Sequence, residues 1–218
     1  MNARAGESLK IAIPLFEGFT ALDAVGPFEV LSRLPGAQVS FLAAEPGIKR
    51  TDNGMLSVMV ELELADLAHP DVLVVPGGPA TRELMRDEAL LEWLRAAHAT
   101  SSWTTSVCTG ALLLAAAGIL EGLEATTYWT ELETLSRYGA RPVSRRVVED
   151  GKVMTAAGVS SGVDMALTLA ARLADERVAE AIQLAIEYDP QPPYDSGSPD
   201  SASPEVVELV RAAIAARS

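Results

Sequence analysis

The sequence predicts an α/β fold, a three-layer sandwich with a mostly parallel central sheet. Three observations carry this expectation. Short apolar runs rich in β-branched residues alternate with longer stretches of helical pattern along the chain. Several of these runs are apolar at every position, as strands covered by helices on both faces must be. The chain of 218 residues is also long enough to enclose one full core.

The elements follow in order. "LKIAIPLF" (residues 9–16) reads as a buried strand, and residues 23–34 as a helix in which Pro27 is tolerable only in the first turn. "AQVSFLAAE" is a second strand, and "DVLVVPGG" a third that ends at a glycine pair. Residues 82–99 have helical pattern, in one or two pieces. "SWTTSVC" is the next strand, and residues 109–118 form a helix closed by Gly118. In "RRVVEDGKVMTAAG", Asp150-Gly151 between β-branched runs signals a hairpin. Residues 159–173 and 176–188 read as two further helices. After Tyr188 the composition shifts to "DPQPPYDSGSPDSASP", too rich in proline and serine for regular structure, before a short helix over 205–217. A single domain over 1–218 is expected, with 189–218 an arm whose Tyr188 and Tyr194 anchor it to the body.

Composition limits the function. A net charge of −13 argues against nucleic acid or an anionic membrane as partner. The amino-terminal residues lack the long apolar stretch of a signal peptide, and the apolar run from Gly110 to Leu120 is too short to span a bilayer. A cytoplasmic protein is expected. One cysteine excludes an internal disulfide framework, and His69, His98 and Cys108 show no ligand spacing, so no metal is expected.

That cysteine is the candidate of interest. Cys108 stands between a strand and a helix, with Gly110 two residues on, the plan of a nucleophile elbow at the carboxyl edge of the sheet. The following helix N-terminus would favour its thiolate. A lone cysteine in an apolar context is otherwise a small core residue. In "PGGP", Gly77 and Gly78 leave backbone N–H groups unobstructed; with the amide of Thr109 they could stabilise developing negative charge, or simply make a turn. Asp23 lies beyond the first strand, as a helix N-cap or as a proton carrier beside the thiol. All three loops fall on the edge where open α/β sheets bind ligands.

Together "FEGFTALDAVGPFEV", "VVPGGPA", "TSVCTGALLLAAAGILEG", "ATTYW" and "AAGVSSGVDMAL" resemble the ThiJ/PfpI superfamily, relatives of class I glutamine amidotransferase domains, over nearly the whole chain. The resemblance implies a flavodoxin-like sandwich with a cysteine nucleophile. Within the superfamily the likeness is to the isocyanide hydratases, which carry Asp where most members place Glu and share the tail "EYDPQPPYDSGSP". It implies a cofactor-independent conversion of isocyanides and water to N-substituted formamides through a thioimidate on Cys108. Asp23 would carry the proton, the Thr109 and Gly78 amides would steady charge, and the enzyme would be a homodimer. Gly77, Tyr128, Trp129 and Val159 are expected around the substrate. Two positions depart from the hydratase pattern: Tyr128 stands where relatives have His, and Ala157 where the hydratases have Gly. Without that His, a Cys–His hydrolase has no evident base. The rival readings are a glyoxalase, deglycase or amidase chemistry on the same thiol, and a non-enzymatic module that binds a small molecule or senses oxidation through Cys108.

Overall fold

The apolar runs form strands and the amphipathic stretches between them form helices. The computed structural model describes residues 8–216. The chain begins with β1 (Leu9–Pro14), α1 (Ala21–Leu31) and β2 (Ala37–Ala43), then a hairpin of β3 (Gly47–Arg50) and β4 (Ser57–Val60), and a short β5 (Leu62–Glu63). Next come β6 (Val72–Val75), α2 (Thr81–Leu84), α3 (Glu88–Thr100), β7 (Trp103–Val107) and α4 (Gly110–Ala116). They are followed by β8 (Glu124–Ala125), α5 (Leu132–Arg137), β9 (Arg141–Pro142), β10 (Val147–Asp150) and β11 (Val153–Ala156). Three helices close the chain: α6 (Ser161–Leu173), α7 (Glu176–Ala185) and α8 (Pro204–Ala215). The amino-terminal residues 1–7, read above for a signal sequence, and Arg217, expected in the last helix, lie outside the described residues.

Seven strands make one sheet in the order β10-β11-β7-β6-β1-β2-β5. All neighbours in it are parallel except β10 and β11, the expected hairpin. Side-chain alternation divides the core between the two faces. Ile11, Ile13, Val72 and Val74 pack with Met165 and Leu169 of α6 and Ile182 of α7. Ala12, Leu73 and Val75 face the other way, onto Leu94 of α3 and Leu112 of α4. Each such aliphatic side chain contributes about 1.5–3 kcal/mol through burial, so the doubly covered sheet is the source of stability for the loops at its edge.

The structure departs from expectation in places. Helix α1 begins two residues earlier than expected, which puts Pro27 inside it rather than in the first turn. An interior proline costs about 3 kcal/mol, and here its ring packs at the α1–α6 crossing. A Cβ added at Gly162 would lie 3.3 Å from Pro27 Cγ and 3.1 Å from both Val107 methyls. Residues 82–99 form two helices, and the hairpin β3–β4 went unread although its turn contains Asn53-Gly54, a known hairpin signal.

The chain divides into two compact units, the first through Ile186 and the second from Glu187 onward. In the second, Ser203 caps α8 by accepting the Val206 N–H, and Pro204 occupies its first turn. Tyr194, expected as an apolar anchor, is 81% exposed.

Candidate active site

Parallel pairing decides which loops meet. Val75 of β6 lies opposite Ser106 of β7, and β1 flanks β6 on its other side, so the segments after all three strands adjoin at one edge. From β7 the chain turns at Cys108 and enters α4 two residues later. Cys108 has φ 55, and with Glu187 is one of two non-glycine residues in the left-handed region among the described residues. Such a conformation costs about 1–3 kcal/mol and persists only where the surroundings enforce it. The elbow expected from the sequence is therefore present, with Cys108 buried.

Asp23 meets it from α1. It is not the N-cap, which is Thr20; Asp23 lies in the first turn, completely buried. Its Oδ2 accepts the Gly77 N–H at 2.9 Å, while Oδ1 is buried without a hydrogen-bond partner. Burial foremost, with a smaller push from the charge of Asp52, raises its pKa to about 7, against the downward pull of the Gly77 amide and the Cys108 thiol. The thiol and carboxyl thus influence one another's protonation, although no hydrogen bond of regular geometry joins them.

Burial also pushes the Cys108 thiol well above its ordinary range, and the charge of Asp23 adds to this; the Thr109 amide pulls the other way. The thiolate expected from the helix N-terminus is not favoured. Helix α4 spans only seven residues, and loss of solvation is the largest influence on the thiol. Once the carboxyl ionises above about pH 7, the pair holds its remaining proton on sulfur.

The amides of the glycine pair are both engaged. Gly77 donates to Asp23, and the Gly78 N–H donates to Thr109 Oγ1 at 2.9 Å, while that hydroxyl donates to Gly78 O at 3.0 Å. Gly78, expected as a free charge-stabilising donor, instead ties its loop to the elbow, and the Thr109 amide faces the sulfur. Gly77 has no room for a side chain: a Cβ would lie 2.6 Å from Thr109 N and 2.8 Å from Asp23 Oδ2.

Tyr128 and Val159 are half-buried members of the cluster that contains Cys108. The Tyr128 hydroxyl has its pKa raised, mainly by burial, and takes a hydrogen bond from Trp129, whose ring lies 5.9 Å away and tilted. Ala157 donates its N–H to Arg146 O. Neither histidine serves the thiol: His69 Nδ1 pairs with Thr100 Oγ1 and His98 Nδ1 with Thr104 Oγ1. Sequence reasoning missed Thr127, whose hydroxyl donates to Cys108 O at 2.8 Å, and Asp52, bound by Thr20 Oγ1. Only proximity to Tyr128 in "ATTYW" pointed toward the first; nothing local signals either contact.

A separate cavity of about 210 Å³ opens beyond the end of β1, walled by Phe16, Leu64, Leu84 and Leu90. Its lining contains no cysteine, serine, threonine or histidine. Among the described residues no group of His, Cys, Asp and Glu is arranged to hold a metal ion, and no helix is long and apolar enough to cross a membrane.

The DJ-1/PfpI family model matches residues 9–172. The chain is 42% identical over 204 residues to the isonitrile hydratase of Pseudomonas putida, an alignment covering 94% of this chain and 89% of that protein. Among solved structures, a ThiJ/PfpI family protein from Pseudomonas syringae superimposes with a TM-score of 0.92 at 34% identity, covering 95% of this chain and 86% of that one. Drosophila melanogaster DJ-1beta, 20% identical, shares the fold at a TM-score of 0.75 over 83% of this chain and 98% of its own.

Proposed function

The chain belongs to the DJ-1/PfpI family, and from that premise we propose that it is an isocyanide hydratase, an enzyme that adds water to R–N≡C and releases the N-substituted formamide. The observation that carries this reading is the partner of the thiol. Cys108 stands beside a buried carboxyl whose pKa is about 7, and both histidines are engaged elsewhere. A Cys–Asp pair suits addition of a thiol across a polarised triple bond, whereas acyl transfer calls for an imidazole to protonate a leaving amine.

The steps balance as follows. The Asp23 carboxylate accepts the thiol proton through the unpartnered Oδ1 as Sγ attacks the terminal isocyanide carbon. Asp23 returns that proton to the same carbon, giving the thioimidate R–N=CH–S–Cys108. It then takes a proton from water as the oxygen adds to this carbon and passes that proton to the nitrogen. Collapse of the adduct breaks the C–S bond as the hydroxyl proton passes to sulfur, which releases R–NH–CHO and restores the thiol and the carboxylate. Only protons and one water move, so no cofactor or metal is required. An isocyanide has a narrow, linear reacting end, suited to a cysteine that is only 6% exposed. The Thr109 amide steadies sulfur, and Tyr128, Trp129, Val159 and Gly77 surround the R group.

Purified protein given an aromatic isocyanide should form the N-formamide without additions, and Cys108→Ala should abolish it. Quenched reactions should carry the isocyanide mass on Cys108 when adduct breakdown is slow. Absence of formamide across a varied isocyanide panel, with a glyoxal or amide turned over through Cys108, would move the enzyme to another chemistry. We further propose a cytoplasmic homodimer acting on a small molecule, with no nucleic-acid or membrane partner, and a single domain in which 189–218 docks on the body. Support for the homodimer is the superfamily resemblance, and support for the docked arm is the segment's proline content and the apolar rings of Tyr188 and Tyr194.

A further inference from the structure

We propose that Thr127 is a positioning residue for the nucleophile, its hydroxyl holding the Cys108 peptide in the left-handed conformation that presents sulfur to substrate. The inference rests on Cys108 being the reacting thiol, as in the function proposed above.

A non-glycine residue at φ 55 relaxes unless both of its peptide groups are held. The Cys108 N–H is fixed by Ala156 O of β11 at 3.1 Å. On the other side, the Cys108 carbonyl receives the Thr127 hydroxyl proton at 2.8 Å. The remaining backbone donor to that carbonyl, Ala111 N–H, is at 3.5 Å, the limit of a hydrogen bond. Thr127 is therefore the short, well-placed donor for a buried carbonyl that α4 itself satisfies poorly.

Thr127 is itself held. It is buried, and the preceding Thr126 donates its N–H to Thr155 Oγ1 of β11 at 2.9 Å. Both grips on Cys108 thus lead to β11, one through Ala156 and one through the segment 126–127 stapled to Thr155. A hydroxyl has a single proton to donate, and here it goes to the Cys108 carbonyl, so Thr127 acts on the backbone and the thiol's proton is left to Asp23. Loss of the hydroxyl leaves the carbonyl with only its long contact and lets the peptide rotate toward helical geometry. Sulfur then swings away from Asp23 and from the Thr109 amide. Displacements of about 1 Å at a reacting atom reduce rates by roughly 100-fold.

The test pairs Thr127→Val, which removes the hydroxyl at constant shape, with Thr127→Ser, which keeps the hydroxyl and removes the methyl. Three quantities are measured on each full-length protein: kcat and KM for an aromatic isocyanide, the rate of Cys108 alkylation by iodoacetamide, and Tm. Thr127→Val should lower kcat by roughly 10- to 100-fold, leave KM nearly unchanged and slow alkylation in parallel. Thr127→Ser should restore both rates. Wild-type kcat and alkylation in Thr127→Val would overturn the proposal. So would a Thr127→Ser protein as slow as Thr127→Val, since the methyl would then be the important group. If Thr127→Val does not fold, Thr127→Ala is judged by the same criteria. If the wild-type protein forms no formamide, the proposed reaction fails, while the alkylation rates still decide the role of Thr127.

Discussion

The buried carboxyl at position 23 makes activity and stability run in opposite directions with pH. Its folded-state pKa is raised from 3.8 to about 7. A raised pKa means that the folded protein binds the proton more tightly, so the stabilisation is complete below the unfolded value and is lost as pH rises through about 7. The loss approaches an order of magnitude of about 4 kcal/mol well above that pH. The chemistry needs the opposite state, a carboxylate free to take the thiol proton. Turnover should therefore rise through about pH 7 and persist until the thiol, held well above its ordinary range, ionises. Asp23→Asn should lower kcat by at least about 100-fold and flatten the decline in Tm between the unfolded value of 3.8 and about pH 7. A variant with wild-type turnover would remove Asp23 from the mechanism. Gly77→Ala tests the same centre sterically. Its Cβ would meet the backbone Thr109 N at 2.6 Å and the side-chain Asp23 Oδ2 at 2.8 Å, so making room for it moves the elbow, the carboxyl or both. We expect a kcat loss of roughly 100-fold, and an unimpaired protein would show that the loop is softer than its contacts imply.

Among the elements, the pair α1 and α6 determines where Asp23 sits relative to Cys108. Helix α1 carries Asp23, and its interior Pro27 lies against Gly162 at the start of α6, beside Val107, the residue before Cys108. The crossing is close because Gly162 has no side chain there. Gly162→Ala would place Cβ 3.1 Å from both Val107 methyls and 3.3 Å from Pro27 Cγ. Overpacking of this kind costs about 1–3 kcal/mol, offset in part by the helix preference of alanine over glycine, about 1 kcal/mol. A lower Tm with reduced kcat is expected, because the strain falls between the two reacting side chains. A stabilised, fully active variant would mean that α1 shifts freely, and that the crossing does not set the site.

For the whole molecule, the unit from Glu187 onward poses a question separate from the catalytic body. It contains α8, capped by Ser203, and within it Leu209 is largely exposed. The proposed docked arm and homodimer predict that deletion of 189–218 lowers Tm or weakens self-association. Calorimetry and light scattering on the truncated protein check this. Unchanged melting, oligomeric state and turnover would reduce the segment to an independent appendage.

Local pattern was enough to read the sheet's main strands, because a strand covered on both faces must be apolar at every position, as Val72–Val75 is. The elbow was legible for a similar reason. A lone cysteine between an apolar run and a glycine-initiated helix is a local arrangement, and Cys108 at φ 55 realises it. What the sequence could not contain is everything that depends on distant segments meeting. The Asp23 carboxyl is oriented by Gly77, 54 residues away, and the Cys108 carbonyl by Thr127, 19 residues away. The order of strands brings those groups together, and strand order follows from packing of the entire chain. The thiol's protonation belongs to the same category. A local reading placed a helix dipole beside it and expected a thiolate, but desolvation is summed over every neighbour, and burial by the whole fold decides that the proton stays on sulfur.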